Sequence, residues 1–86
     1  MISKVHAHFW RLLNQLPEQI QQMARERYAD FIKDPGLPGL RFKKLQGTRD
    51  LWSVRLNDDY RAVCQRSGDT VVWVWIGSHR EFDKLF

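Results

Sequence analysis

The chain has 86 residues, 43% of them hydrophobic, with four tryptophans and five phenylalanines, and 14 Lys+Arg against 10 Asp+Glu give a net charge of +4. That composition excludes a disordered chain, and no apolar run approaches the roughly 20 residues a membrane span needs. A pI near 9.6 points to an anionic partner, either nucleic acid or an acidic protein.

Residues 1–86 read as a single domain. A chain this short buries only about 60–65% of its unfolded surface, so its core has to be dense. The opening "MISKVHAHFW" lacks the apolar h-region of a signal peptide, and no disulfide is available to the single cysteine, Cys64. Set in "AVCQR", Cys64 reads as a small buried strand residue, and the expected compartment is the cytoplasm. His6 and His8 read as surface residues, because they have no cysteine or carboxylate partners at metal-binding spacing. No metal or other cofactor is expected.

In chain order, Phe9, Leu12, Leu13 and Leu16 recur at helical spacing. Pro17 suits the first position of a second helix, with Glu18 in its first turn. Ile20, Met23, Ala24, Arg27/Tyr28, Phe31 and Ile32 continue one face of that helix, and "DPGLPG" at 34–39 stops it. The period then changes. "LRFKKL" is a plausible strand whose out-of-phase Phe42 and Leu45 hint at a bulge. "LWSVRL" and "YRAVCQR" alternate, and "TVVWVWI" is apolar enough for an inner strand covered on both faces. The expected fold is α+β: an N-terminal αα-hairpin packed on a 3–4-stranded antiparallel sheet, with a short C-terminal helix.

The hairpin "LWSVRLNDDYRAV" carries a candidate site. A three-residue loop, Asn57-Asp58-Asp59, pairs Leu56 with Tyr60, Val54 with Ala62 and Trp52 with Cys64, all on one face. Arg55 then sits opposite Arg61 on the other face, where like charges cost roughly 0.2–1 kcal/mol. An anion such as a phosphate would relieve that repulsion, and so would Asp50, Asp58 or Asp59. Further on, Ser78-His79-Arg80-Glu81 is an S-x-x-E capping box that starts a terminal helix, with Phe82, Leu85 and Phe86 on one face. His79 takes its first position, among free N–H groups that favour anions. It reads either as an exposed terminal histidine or as the best candidate there for moving protons, with Glu81 and Asp83 as weak seconds. Arg41, Lys43 and Lys44 form a basic edge, which reads either as a solvated strand edge or, if the sheet bends there, as an extension of a track for a nucleic-acid backbone. Trp73 and Trp75 share a face. A three-residue loop at Ser67-Gly68-Asp69 sets them beside the arginines to stack on bases, and a two-residue turn sets them in the core.

The order αα-hairpin, then "LRFKKLQG…LWSVRLNDDYRAV…SGDTVVWVWIGSHREFDKLF", resembles the RelE/ParE superfamily of bacterial type II toxins over roughly residues 9–86. "VRLNDDYRAV" and "IGSHREFDKL" carry most of that likeness. The resemblance implies a small basic cytoplasmic protein that a cognate antitoxin wraps and neutralises. In the RelE branch it implies metal-independent cutting of mRNA, typically in the ribosome, and in the ParE branch gyrase poisoning without nuclease activity. A remnant of the fold that binds only antitoxin or nucleic acid is a third reading. By the resemblance, Arg61 matches the arginine that contacts the scissile phosphate, Arg55 a basic position on the preceding strand, and His79 a residue at the reaction centre. Trp75 stands where some nucleases carry another arginine, and Phe82 or Phe86 stands where many members place an aromatic residue that stacks on a base. Members usually open with a β-strand, whereas only "MISKVHA" precedes the first helix here, so that strand is expected to be short or absent.

Overall fold

The computed structural model describes all residues 1–86. Its elements are β1 (Ile2–Val5), α1 (Ala7–Asn14), α2 (Glu18–Lys33), a 3-10 turn (Pro38–Leu40), β2 (Lys43–Lys44), β3 (Leu51–Arg55), β4 (Tyr60–Ser67), β5 (Thr70–Ser78) and α3 (His79–Leu85). The expected α+β plan holds, with the helical hairpin on one side of the sheet and a short terminal helix. The sheet is larger than expected, with five strands in the order β1-β5-β4-β3-β2. Residues 2–5 add an edge strand parallel to β5, and every other pairing is antiparallel.

Capping chemistry sets the helix ends. His6 caps α1, its Nδ1 accepting the His8 N–H at 3.0 Å. Pro17 caps α2 rather than occupying its first turn, and Glu18 and Lys33 complement the dipole at either end. Asp34 leaves the helix in an extended conformation, and its carboxylate accepts the Gly36 N–H at 2.9 Å.

Ser3 fastens the edge strand. Its Oγ accepts the indole N–H of Trp73 at 3.1 Å and the Tyr28 hydroxyl at 2.8 Å, joining β1, β5 and α2. Trp73 thereby keeps its one polar atom satisfied while its ring is buried, which a buried indole requires. It packs edge-on against Phe31 at 5.2 Å, and Phe31 packs edge-on against Phe42 at 5.1 Å. Leu13, Leu40, Val54, Leu56, Ala62, Cys64, Val71 and Ile76 complete the core between hairpin and sheet. Ile32, expected on the buried face of α2, is instead 54% exposed, because Phe31 takes the inward position.

Two strand expectations change. "LRFKKL" supplies only the two paired residues Lys43 and Lys44, because Arg41 takes a left-handed conformation (φ 47°) that turns the chain into β2. The bulge lies instead in β5. Val63 pairs with Trp75 and Cys64 with Trp73, leaving Val74 as the extra residue. The β4–β5 turn has the two central residues Gly68 and Asp69, with Gly68 at φ 60°. That turn alone would send both tryptophans to the core, but the bulge reverses the alternation. Trp73 enters the core and Trp75 lies on the opposite face, so the two do not share a side.

Truncation of the central ring, Phe31→Ala, is expected to cost about 3–5 kcal/mol in urea unfolding, whereas Ile32→Ala stays within about 0.5 kcal/mol. Burial pushes the Cys64 thiol up to about 12. Its folded value exceeds the unfolded one, so this contribution to stability is intact below about pH 8.5 and is lost as pH rises toward 12. A thiol reagent at pH 8 is therefore expected to label Cys64 only after denaturant is added.

Candidate functional site

The face turned away from the helical hairpin is built by strand alternation. The pairing puts Arg55 directly opposite Arg61, with Val54 opposite Ala62 and Trp52 opposite Cys64. On the same side lie Lys43, paired with Ser53, and Trp75, paired with Val63. Lys44 pairs with Trp52 and belongs to the other face. It therefore leaves the basic track expected from the sequence.

Local chemistry fixes the loop that positions the two arginines. Asn57 Oδ1 accepts the N–H groups of Asp59 (2.8 Å) and Tyr60 (2.9 Å), and the Leu56 N–H donates to the Tyr60 carbonyl at 3.1 Å. Arg61 Nη1 donates to the carbonyls of Asn57 and Tyr60. Arg55 Nη2 pairs with Asp58 Oδ1 at 2.6 Å, and Arg55 Nε is buried without a partner. Repulsion between the arginines is thus met within the chain, by one carboxylate and two carbonyls. The charges remain coupled. The Arg61 guanidinium is held below its ordinary value by burial and then by the charges of Arg55 and Arg41. The Asp58 carboxyl is held below the usual carboxylate range by its hydrogen bond and charge contact with Arg55, with Arg41 and Arg61 adding to it. Arg41 therefore belongs electrostatically with Arg55 and Arg61.

The terminal helix closes this face from the end of β5. Ser78 Oγ accepts the Glu81 N–H at 3.1 Å and Glu81 Oε1 reaches back to the Ser78 N–H at 3.4 Å, which is the expected capping box. Phe82 and Phe86 lie against Trp75, with ring centroids 6.3 and 5.4 Å away. Leu85, expected beside them, is exposed. Gly77 makes room for the Trp75 ring, since a Cβ there would lie 2.6 Å from it.

His79 is the first residue of α3, but its N–H is not free for an anion: it donates to the Asp59 carbonyl at 2.6 Å. That bond ties the helix to the β3–β4 loop. The imidazole lies 6.2 Å from the Phe82 ring, and its Nε2 is 3.3 Å from Asp83 Oδ1. His79 and Asp83 line an open depression with Asp58, Asp59 and Tyr60. The depression thus joins the loop carboxylate on the arginines to the histidine. No group of three His, Cys, Asp or Glu side chains is placed to hold a metal ion.

Of the residues singled out in the sequence, the structure gathers Arg41, Lys43, Arg55, Arg61, Trp75, His79 and Phe82 toward this face and its rim, and it sets Lys44 apart. Sequence reasoning missed Asp83 as the partner of His79, although the i,i+4 spacing inside a helix signals that contact. It also missed Gly77, for which only the tertiary position of Trp75 supplies a reason.

Comparison with known proteins adds a family. No curated protein matches the sequence. Among solved structures, the RelB–RelE antitoxin–toxin complex from Methanococcus jannaschii matches with a TM-score of 0.74 at 18% identity, over 96% of this chain and 98% of that one. The toxin–antitoxin complex RelBE2 from Mycobacterium tuberculosis matches with a TM-score of 0.72 at 23% identity, over 91% and 90%. The YoeB/ParE toxin from Agrobacterium tumefaciens matches with a TM-score of 0.69 at 15% identity, over 92% and 99%. At those identities the likeness is one of fold. The sequence itself matches the model of the ParE-like toxin domain over residues 18–84, and on that match the chain belongs to the ParE-like toxin family.

Proposed function

We propose that the protein is the toxin of a toxin–antitoxin pair and a metal-independent endoribonuclease that cuts mRNA, in association with the ribosome, and so inhibits translation. The observation that carries this reading is the cross-strand pair Arg55–Arg61 on a face whose rim depression holds His79. Cleavage of RNA through its own 2′-hydroxyl needs a base for that hydroxyl, positive charge for the developing phosphorane, and a proton for the departing 5′-oxygen. Arg55 and Arg61 supply the charge. In His79, Nε2 faces Asp83, which leaves Nδ1 as the nitrogen free to take the 2′-proton. The 5′-oxygen then takes a proton from the resulting imidazolium or from water, and a 2′,3′-cyclic phosphate remains. Lys43 on β2 and Arg41 in the turn before it extend the contact, and the Trp75–Phe82 pair gives a base a surface to stack on, worth about 1–3 kcal/mol. With one proton carrier on the face, turnover outside the ribosome is slow.

A cognate antitoxin follows from the same reading. The M. jannaschii and M. tuberculosis structures are toxin–antitoxin complexes by their descriptions, and the net charge of +4 suits an acidic partner. No helix is long and apolar enough to cross a membrane, and the proposed site of action is the cytoplasm.

A second reading, a gyrase-inhibiting toxin without nuclease activity, is favoured by two observations. The family model is that of ParE-like toxins, and Arg55, Arg61 and His79 are each already engaged by groups of the chain itself.

In a translating extract, the wild type is expected to cleave message, Arg61→Ala to lose about 10²–10³ in rate and His79→Ala about 10²–10⁴. Primer extension on the message reads both. Intact message together with inhibited supercoiling by gyrase would replace the nuclease reading with the second one.

A further inference from the structure

The Asp58 carboxylate has an unusual position. It sits at the tip of the β3–β4 loop with its side chain 90% exposed, yet Oδ1 is 2.6 Å from Arg55 Nη2. Only one oxygen engages one nitrogen, although a guanidinium and a carboxylate fit each other as a two-pronged pair. Arg55 Nε is left buried without a partner. Arg55 alone touches this carboxylate, while Arg61, directly opposite Arg55 in the sheet, and Arg41, in the turn before β2, add positive charge without contact. The β3–β4 loop does not need the carboxylate for its shape, because Asn57 supplies the turn-closing hydrogen bonds.

We propose that Asp58 is a resident competitor that occupies the phosphate position of the Arg41–Arg55–Arg61 cluster and has to be displaced before a nucleic-acid strand engages. This rests on the reading of the basic face as a phosphate site. Binding a single phosphodiester then exchanges one monoanion for another, with little net gain in Coulomb energy. Affinity must come from what a longer strand adds, in neighbouring phosphates on Lys43 and bases on the aromatic pair. Asp58 accordingly lowers the affinity for isolated phosphates and strands alike, and only a strand has the added contacts that make up the loss. Its exposure keeps the exchange cheap, since a solvated ion pair on a loop contributes little to stability.

The test measures binding of a 2′-O-methyl RNA oligonucleotide, which cannot be cleaved through its 2′-oxygen, and of inorganic phosphate, by calorimetry at low ionic strength. Asp58→Asn is expected to tighten binding of both about 2–5-fold, the factor that corresponds to an exposed ion pair. Glu26→Gln makes the same change in net charge on the exposed surface of α2 and serves as the control for the general field of the protein. It is expected to change affinity by less than about 1.5-fold, because exposed charges away from the contact are screened. Thermal unfolding confirms that both variants are folded. Equal effects of the two substitutions, or weaker binding by Asp58→Asn, would overturn the proposal, as would absence of RNA binding by every variant. Cleavage is assayed separately. If the wild type cuts RNA but Asp58→Asn binds no tighter, the competitor falls and the nuclease stands. If nothing cuts RNA but Asp58→Asn still binds tighter, the nuclease falls and the competitor stands.

Discussion

One extra residue in β5 organises both faces of the sheet. Without Val74 as a bulge, Trp73 and Trp75 would point the same way, and either the core or the basic face would lack its principal aromatic ring. With it, Trp73 fills the space beneath Phe31 and gives its N–H to Ser3, which secures the edge strand. Trp75 goes to the far side, where it seats α3 through Phe82 and Phe86. The same displacement makes a small residue necessary at position 77, because the Trp75 ring lies over that backbone. Hairpin packing, strand β1 and the terminal helix therefore all depend on a single local departure from strand alternation.

The electrostatics of the basic face follow from where the core residues have to point. Val54, Leu56, Ala62 and Cys64 are buried toward the helices, and the pleat then forces Arg55 and Arg61 together on the other side. The cost of facing like charges is small beside the burial of four side chains, each worth about 1 kcal/mol or more. Both arginines are largely spoken for, one by the Asp58 carboxylate and the other by loop carbonyls. A site of this kind is poised rather than open. Its cations are held in place by contacts within the chain, which on the proposed reading an incoming anion replaces.

The histidine reaches this face by a different route. Its backbone N–H donates to the Asp59 carbonyl, which ties the start of α3 directly to the loop that carries Asp58. The capping box and the aromatic contacts with Trp75 hold the rest of α3, which has no fully buried residue of its own. The loop and the helix thus meet at the edge of the basic face, through this hydrogen bond and the adjacent pairing of Tyr60 with Ser78.

Much of this was legible in the sequence, for reasons that are local. The alternation of "LWSVRL" and "YRAVCQR" determined the register, and with it the juxtaposition of Arg55 and Arg61, because a shift of one residue would expose a whole apolar face. The S-x-x-E spacing determined the start of α3 in the same way. Strand β1 was not legible as a pairing partner, since four residues with alternate exposure carry little pattern and their partner lies about 70 residues away in the chain. Nor was the bulge at Val74, because every residue from Val71 to Ile76 is apolar and an uninterrupted apolar run has no period to break. Which tryptophan is core and which faces the arginines was settled by the packing of β5 against β4 and the helices, where a long-range fit outweighs any preference of the strand itself.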